Sequence, residues 1–300
     1  MGTSHFAVPI LKSLYQNGYP ISVVYTQPAK KSNRGQKLNK SPINLFCENI
    51  SLQVRTPQTL KNNNEEELYL IDLKPDIIVV VSYGQIIPTN LLNIPKNGFL
   101  NIHASLLPKW RGAAPIQRSI MNLDKETGIS MMKINENLDE GPICNQYTLK
   151  ISEKMNSEEL SEKLSLLAAE KILDILDNIY DDSIKFIDQD HSKATYAKKI
   201  QKIEGKINWN ENADKIIGKI NGLYPYPGAF FLYNGERYKI LIAEKSYSSG
   251  KPGNIITEDF EICCGEGSIK VLSIQREGKK AQKIKEFLLG SKINKGTNIS

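Results

Sequence analysis

No apolar run in this 300-residue chain approaches the ~20 residues needed to span a bilayer, so a transmembrane-helix protein is excluded and a soluble one expected. Cysteine is sparse. Cys47, Cys144, Cys263 and Cys264 show neither a C-x-x-C pair nor Cys/His ligand spacing, which argues against a structural zinc site or a disulfide framework. Adjacent Cys263 and Cys264 would face opposite sides of a strand. Reduced thiols and no metal are the expectation. No Ser or Cys sits in a nucleophile-elbow pattern, so chemistry through a covalent enzyme intermediate is disfavoured. The start Met1-Gly-Thr-Ser-His-Phe6 lacks the basic and long apolar regions of a signal peptide, and Phe6 stands where a myristoylation motif needs Ser or Thr. Neither export nor anchoring is expected, which leaves the cytoplasm or an organellar matrix.

What the chain has is an uneven charge. The net +6 divides into −1 over residues 1–182, +2 over 183–201 and +5 over 202–300. A basic segment beside a near-neutral one is the pattern expected if one part holds a phosphate backbone while the other does chemistry. A merely solvated lysine-rich surface fits the charge equally well.

In the first half, short β-branched runs alternate with helical stretches: Ile21–Tyr25, Pro75–Val81, Phe99–Ile102 and Ile129–Ile134. Continuous apolar runs predict strands buried on both faces, hence a Rossmann-like α/β domain with a parallel sheet. Ligands then gather beyond the carboxyl ends of the strands. Leu160, Leu164, Leu167, Ile172, Ile175, Leu176 and Ile179 recur at helical spacing and predict one long amphipathic helix over 157–180. The polar stretch from Asp181 to Gly205 has no strong period and is expected to be a linker. Beyond it come short strands broken by Gly, Asn and Pro, including Phe230–Ile242 around an Asn-Gly turn, and these predict a small OB-like β-barrel. The expected division is a catalytic domain at 1–182, a linker at 183–201 and a barrel at 202–300.

The stretch Asn101-Ile-His-Ala-Ser-Leu-Leu-Pro-Lys-Trp-Arg-Gly112 carries the most chemistry. Asn101 and His103 are two apart at a strand end, so both side chains leave one face toward the ligand crevice. An amide NH₂ can stabilise a developing oxyanion; an imidazole can donate to it or shuttle a proton. Asp139 follows the next strand and can orient His103 or accept a proton. The set suits direct acyl transfer. On residue types alone, a satisfied structural His at a strand end is the commoner case.

The string Asn-Ile-His-Ala-Ser-Leu-Leu-Pro followed by Arg-Gly, with Leu138-Asp-Glu-Gly141 downstream, resembles the signature of enzymes that use 10-formyltetrahydrofolate. These include formyltransferases acting on glycinamide ribonucleotide, sugar nucleotides and methionyl-tRNA, and formyltetrahydrofolate hydrolases. Trp110–Ile120, Tyr25-Thr-Gln-Pro28 leading into Arg34-Gly-Gln-Lys37, and Leu223-Tyr-Pro-Tyr-Pro-Gly228 are most similar to the methionyl-tRNA formyltransferases, nearly end to end. The resemblance implies transfer of a formyl group from 10-formyltetrahydrofolate to methionine on initiator methionyl-tRNA. It implies Asn101, His103 and Asp139 as the catalytic set, and Ser82, Tyr83, Gly84 and Gln85 in the folate pocket. Ser105, Leu106, Leu107 and Pro108 would link the catalytic strand to that pocket, and Arg34 and Lys37 would contact tRNA from a basic loop. The chain is expected to act as a monomer. Competing readings are a formyltransferase acting on a sugar nucleotide or another small amine, and a tRNA-binding module without activity.

Two departures stand out. Family members begin with a strand of about six apolar residues ahead of Gly-Thr-Pro, whereas Gly2-Thr3-Ser4 follows Met1 directly here. A slot in the sheet is therefore expected to lie unfilled. His5 replaces the family's Asp and has no assigned role, and Ala29 replaces an Asp after Thr26-Gln-Pro28.

Overall fold

A computed structural model describes residues 1–32, 37–291 and 293–299. The chain forms two compact units, each assembled from separate stretches: 1–112, 128–149 and 161–196 make the first, and 113–127, 150–160 and 197–300 the second.

The first unit holds the short strands β1 (Val24–Tyr25), β2 (Val54–Arg55), β3 (Ile78–Val80) and β4 (Phe99–His103), with most of β5 (Glu126–Lys133) and β6 (Ile143–Lys150). β1 pairs with β2 and β3 with β4, both parallel. Met1 and Gly2 join the two pairs: the Gly2 N–H donates to Tyr25 O at 2.8 Å and the Val81 N–H to Met1 O at 2.9 Å. β5 then runs antiparallel to β4, with Leu100 opposite Lys133 and His103 opposite Ser130. The sheet is therefore mixed where the apolar run suggested one direction throughout. All of Thr127–Met132 is buried, and such a run reports burial on two faces, not strand direction.

Helix starts follow local chemistry. In α1 (Ala7–Gln16) Ala7, Ile10 and Leu14 make one buried stripe. In α2 (Pro42–Asn49) Pro42 opens the helix and the Ser41 hydroxyl accepts the Asn44 N–H at 3.0 Å. The Asn63 side chain caps α3 (Asn64–Leu73), whose first turn carries Glu65, Glu66 and Glu67 where the dipole favours acid. After α4 (Pro115–Met121), the long helix α5 spans Ser157–Tyr180, the range its periodicity predicts, with Leu164, Ala168, Ile172 and Ile175 buried. Among the described residues, no helix is long and apolar enough to cross a membrane.

The second unit sets α6 (Ala213–Gly222) against α4 and a curled antiparallel sheet of β7 (Ala229–Tyr233), β8 (Glu236–Ser246), β9 (Glu261–Cys263) and β10 (Ser268–Arg276), ordered β7-β8-β10-β9. Asn234 and Gly235, at φ 50° and 78°, make the tight turn between β7 and β8 that favours this dipeptide. Trp209, Ile216, Phe231, Tyr238, Phe260 and Phe287 fill its core, with Phe231 and Tyr238 stacked 5.4 Å apart.

A cavity of about 560 Å³ lies in the first unit below Met1, walled by Ile10, Leu14, Val23, Ile78 and Leu176 among others. The Met1 amine is buried at its head and donates to Val79 O at 2.7 Å. Burial pushes that amine from its ordinary value near 8 down to about 5, opposed slightly by Cys47. Between those values the unfolded chain binds a proton that the folded chain does not, so stability rises with pH across that window and is lost toward its lower edge. We predict that the 300-residue chain melts higher at pH 8 than at pH 5.5. Placing about five apolar residues ahead of Met1 should raise the melting temperature by several degrees and reduce this dependence, since an amide N–H replaces the amine and side chains fill the cavity. Superimposable melting curves for the two forms would show that the slot has no influence on stability.

Candidate functional site

β4 ends at the site. Strand alternation sends Asn101 and His103 from one face, and His103 is buried with 7% of its surface exposed. The His103 Nε2 lies 2.9 Å from Trp110 O; a carbonyl only accepts, so Nε2 carries the hydrogen. On its other side, Nδ1 is 3.6 Å from Asp139 Oδ2, longer than a hydrogen bond. A proton arriving on Nδ1 turns that contact into an ion pair.

Asp139 sits in the turn after β5 with φ 52°, in the left-handed region that non-glycine residues seldom adopt. Its Oδ2 accepts the Gly112 N–H at 2.8 Å, and Oδ1 lies 3.4 Å from Asn101 Nδ2. The loop crosses β5 so closely that a Cβ on Gly141 would stand 1.8 Å from Lys133 O, and only glycine fits. Sequence spacing gave Asn101 and His103 a common face; the fold brings Asp139 to both. It holds Asp139 chiefly through the Gly112 amide, which no side-chain pattern could reveal.

The expected folate residues divide between surface and core. Ser82 and Gly84 are exposed, with φ 48° and 76°, and the Gln27 amide donates to Tyr83 O at 3.0 Å and Gly84 O at 2.8 Å. A side chain at Gly84 would meet Gln27 Nε2 at 2.4 Å. The Tyr83 ring is buried in the core with Tyr25, Leu70 and Phe99, and burial pushes its phenol well above the usual range. Gln85 donates to Pro57 O at 2.9 Å, while its buried Oε1 has no partner among the described residues. An orphan acceptor beside exposed, tightly turned backbone suits the N–H-rich edge of a flat pterin, so these residues fit a folate.

Ser105–Pro108 is fixed by a residue that the sequence reading missed. The Ser130 hydroxyl, buried in β5, donates to Ser105 O at 2.7 Å and accepts the Leu107 N–H at 2.9 Å; Gln146 Nε2 reaches both Ser130 Oγ and Leu107 O at 2.8 Å. A lone serine inside the apolar run 129–134 was the available signal. Ser105 itself donates to Lys109 O at 2.6 Å. Leu107 is buried, whereas Leu106 and Pro108 are half-buried. Lys37 lies in the strand Lys37–Asn39, paired antiparallel with Lys30–Ser32; Arg34, expected beside it on tRNA, lies outside the described residues.

Comparison with known proteins agrees across the chain. The formyl transferase family matches residues 1–176, and the formyl transferase C-terminal domain matches 199–292. A Pelagibacter ubique protein named methionyl-tRNA formyltransferase is 60% identical over 301 residues, covering 100% of this chain and 97% of that one. Its namesake in Thermodesulfovibrio yellowstonii is 43% identical, covering 98% and 96%. Among solved structures, an N-formyltransferase from Helicobacter canadensis in complex with folinic acid and dTDP-3-aminofucose aligns with a TM-score of 0.70 at 20% identity, covering 92% of this chain and 97% of that one. HypX from Aquifex aeolicus in complex with tetrahydrofolic acid aligns at 0.63 and 18% identity, over 93% and 49%. Likeness at these identities is one of fold.

The 105–108 loop hangs on one hydroxyl, and this is testable. Ser130→Ala removes three hydrogen bonds from a fully buried point and leaves Ser105 O and the Leu107 N–H short of a partner, so it should destabilise by about 1–3 kcal/mol. Denaturant titration reads the loss; an unchanged midpoint would mean that Gln146 alone suffices.

Proposed function

Because the chain belongs to the methionyl-tRNA formyltransferase family, we propose that Asn101, His103 and Asp139 are its catalytic set and that 82–85 with 105–108 hold the folate. The enzyme transfers a formyl group from 10-formyltetrahydrofolate to the α-amino group of methionine on initiator methionyl-tRNA, supplying formylmethionyl-tRNA for translation initiation. The observation that carries the site assignment is the convergence of the Asn101 amide, the His103 ring and the Asp139 carboxylate at the end of β4.

Each side chain then has a task. 10-Formyltetrahydrofolate supplies the formyl carbon. Asn101 Nδ2, held only loosely by Asp139, aims a hydrogen at the formyl oxygen as negative charge builds there. Asp139 takes the proton released when the methionine nitrogen bonds to the formyl carbon, and His103 Nδ1 shares that proton across the 3.6 Å gap. The proton then passes to the departing folate nitrogen, so the enzyme returns to its starting state. The buried His103 Nε2–H, anchored on Trp110 O, keeps the ring from turning away.

We assign catalysis to 1–182 and tRNA binding to 202–300, assisted by Arg34 and Lys37, with 183–201 as a connecting segment whose first part, to 196, packs into the first unit; the protein works as a monomer in the cytoplasm or an organellar matrix. The charge of +5 over 202–300 supports this division.

Two experiments test the assignment. In a formylation assay with charged initiator tRNA, His103→Ala and Asp139→Ala should each lower kcat by about 100-fold or more while leaving tRNA affinity nearly unchanged. Wild-type turnover in either variant would remove that residue from the mechanism. Replacing exposed Lys279, Lys280, Lys283 and Lys285 with Ser should weaken tRNA binding and reduce its log–log salt slope by about one for each lysine on a phosphate. An unchanged slope would reassign those charges to solubility.

A further inference from the structure

Asp139 needs an external restraint. A non-glycine residue at φ 52° relaxes unless its surroundings hold it. The Gly112 N–H fixes its carboxylate, but the strained element is the backbone at Asp139 itself. Two neighbouring carbonyls of that turn point to one side chain: Gln189 Nε2 donates to Asp139 O at 2.9 Å and to Gly141 O at 2.8 Å.

Gln189 is itself held. It is 6% exposed, and its Oε1 accepts from Arg111 Nε at 3.1 Å and Nη2 at 2.8 Å. Arg111, 1% exposed, also reaches Glu140 Oε1 at 2.9 Å, so the residue between the two clamped carbonyls is tied to the same guanidinium. His191 Nδ1 lies 3.3 Å from Arg111 Nη2. Every hydrogen of the Gln189 amide is spent on the Asp139 turn and its oxygen on Arg111. Arg111 precedes Gly112, whose N–H holds the Asp139 carboxylate. One dipeptide thus anchors both the backbone clamp and the carboxylate.

We propose that Gln189, in the segment read from sequence as a mere linker, is the positioning residue that locks Asp139 in its left-handed conformation and so sets its carboxylate against Asn101 and His103. A neutral amide is the chemistry required. Two carbonyls need two donors and a guanidinium needs an acceptor, and no other uncharged side chain of that reach offers all three. Gln189 touches no reacting atom and acts only through Asp139. The inference rests on the reading of Asp139 as catalytic.

The test is a double-mutant cycle on the full-length enzyme. Gln189→Glu keeps the acceptor for Arg111, and with it the fold, but loses both donors to the turn. We expect kcat to fall about 10- to 100-fold, with KM for methionyl-tRNA and for 10-formyltetrahydrofolate within about two-fold of the parent. In an Asp139→Ala background the same substitution should change the residual kcat by less than about two-fold, because the group that Gln189 positions is gone. Gln189→Asn, with the amide on a shorter arm, is the second variant and is read in the same way should Gln189→Glu not fold. A kcat within about two-fold of the parent, or an equal fall in both backgrounds, overturns the inference, since a merely structural residue lowers activity with or without Asp139. Failure of the underlying site reading looks different: Asp139→Ala alone would then keep wild-type turnover.

Discussion

The hydrogen bond from the Gly112 N–H to Asp139 Oδ2 is the contact on which the site depends. Two segments distant in sequence meet there, the stretch that leaves β4 through Ser105–Pro108 and the turn that leaves β5. A hydrogen bond to a charged acceptor contributes roughly 1.5–3 kcal/mol, and this one fixes where the carboxylate points. Without it, Asp139 relaxes and its neighbours Asn101 and His103 face no carboxylate. The Arg111–Gln189 clamp stiffens the same turn from its backbone side, and Gly141 lets the turn pass β5 at a distance no other residue tolerates.

Much of this was legible in the residues. The period of α5 fixed both of its ends, the Asn234-Gly235 dipeptide located the β7–β8 turn, and the two-residue spacing of Asn101 and His103 gave their common face. Each of these is a local rule with a strong period or a strong steric signature.

What escaped the sequence has a common cause. The direction of β5 is set by chain routing, whereas its apolar run reports only burial. The Tyr83 ring turns into the core, where it packs with Tyr25, Leu70 and Phe99, while Ser82 and Gly84 on either side stay exposed, a placement that long-range packing decides. Ser130 and Gln189 matter through backbone carbonyls and amides, which every residue possesses and no motif records. His103 is held first by Trp110 O and only distantly by Asp139, a ranking set by tenths of an ångström.

The interleaving of the two units bears on how the polypeptide is made. Residues 113–127 and 150–160 belong to the second unit, yet leave the ribosome long before 197–300 are synthesised. The face of α4 that packs on α6 therefore waits, uncovered, for about ninety residues of translation. At the ~5–20 residues per second of synthesis this is an interval of several seconds. Every stretch of the first unit has been synthesised by residue 196, whereas the second unit cannot close until 197–300 follow, so neither unit corresponds to one continuous piece of chain and the second is completed last.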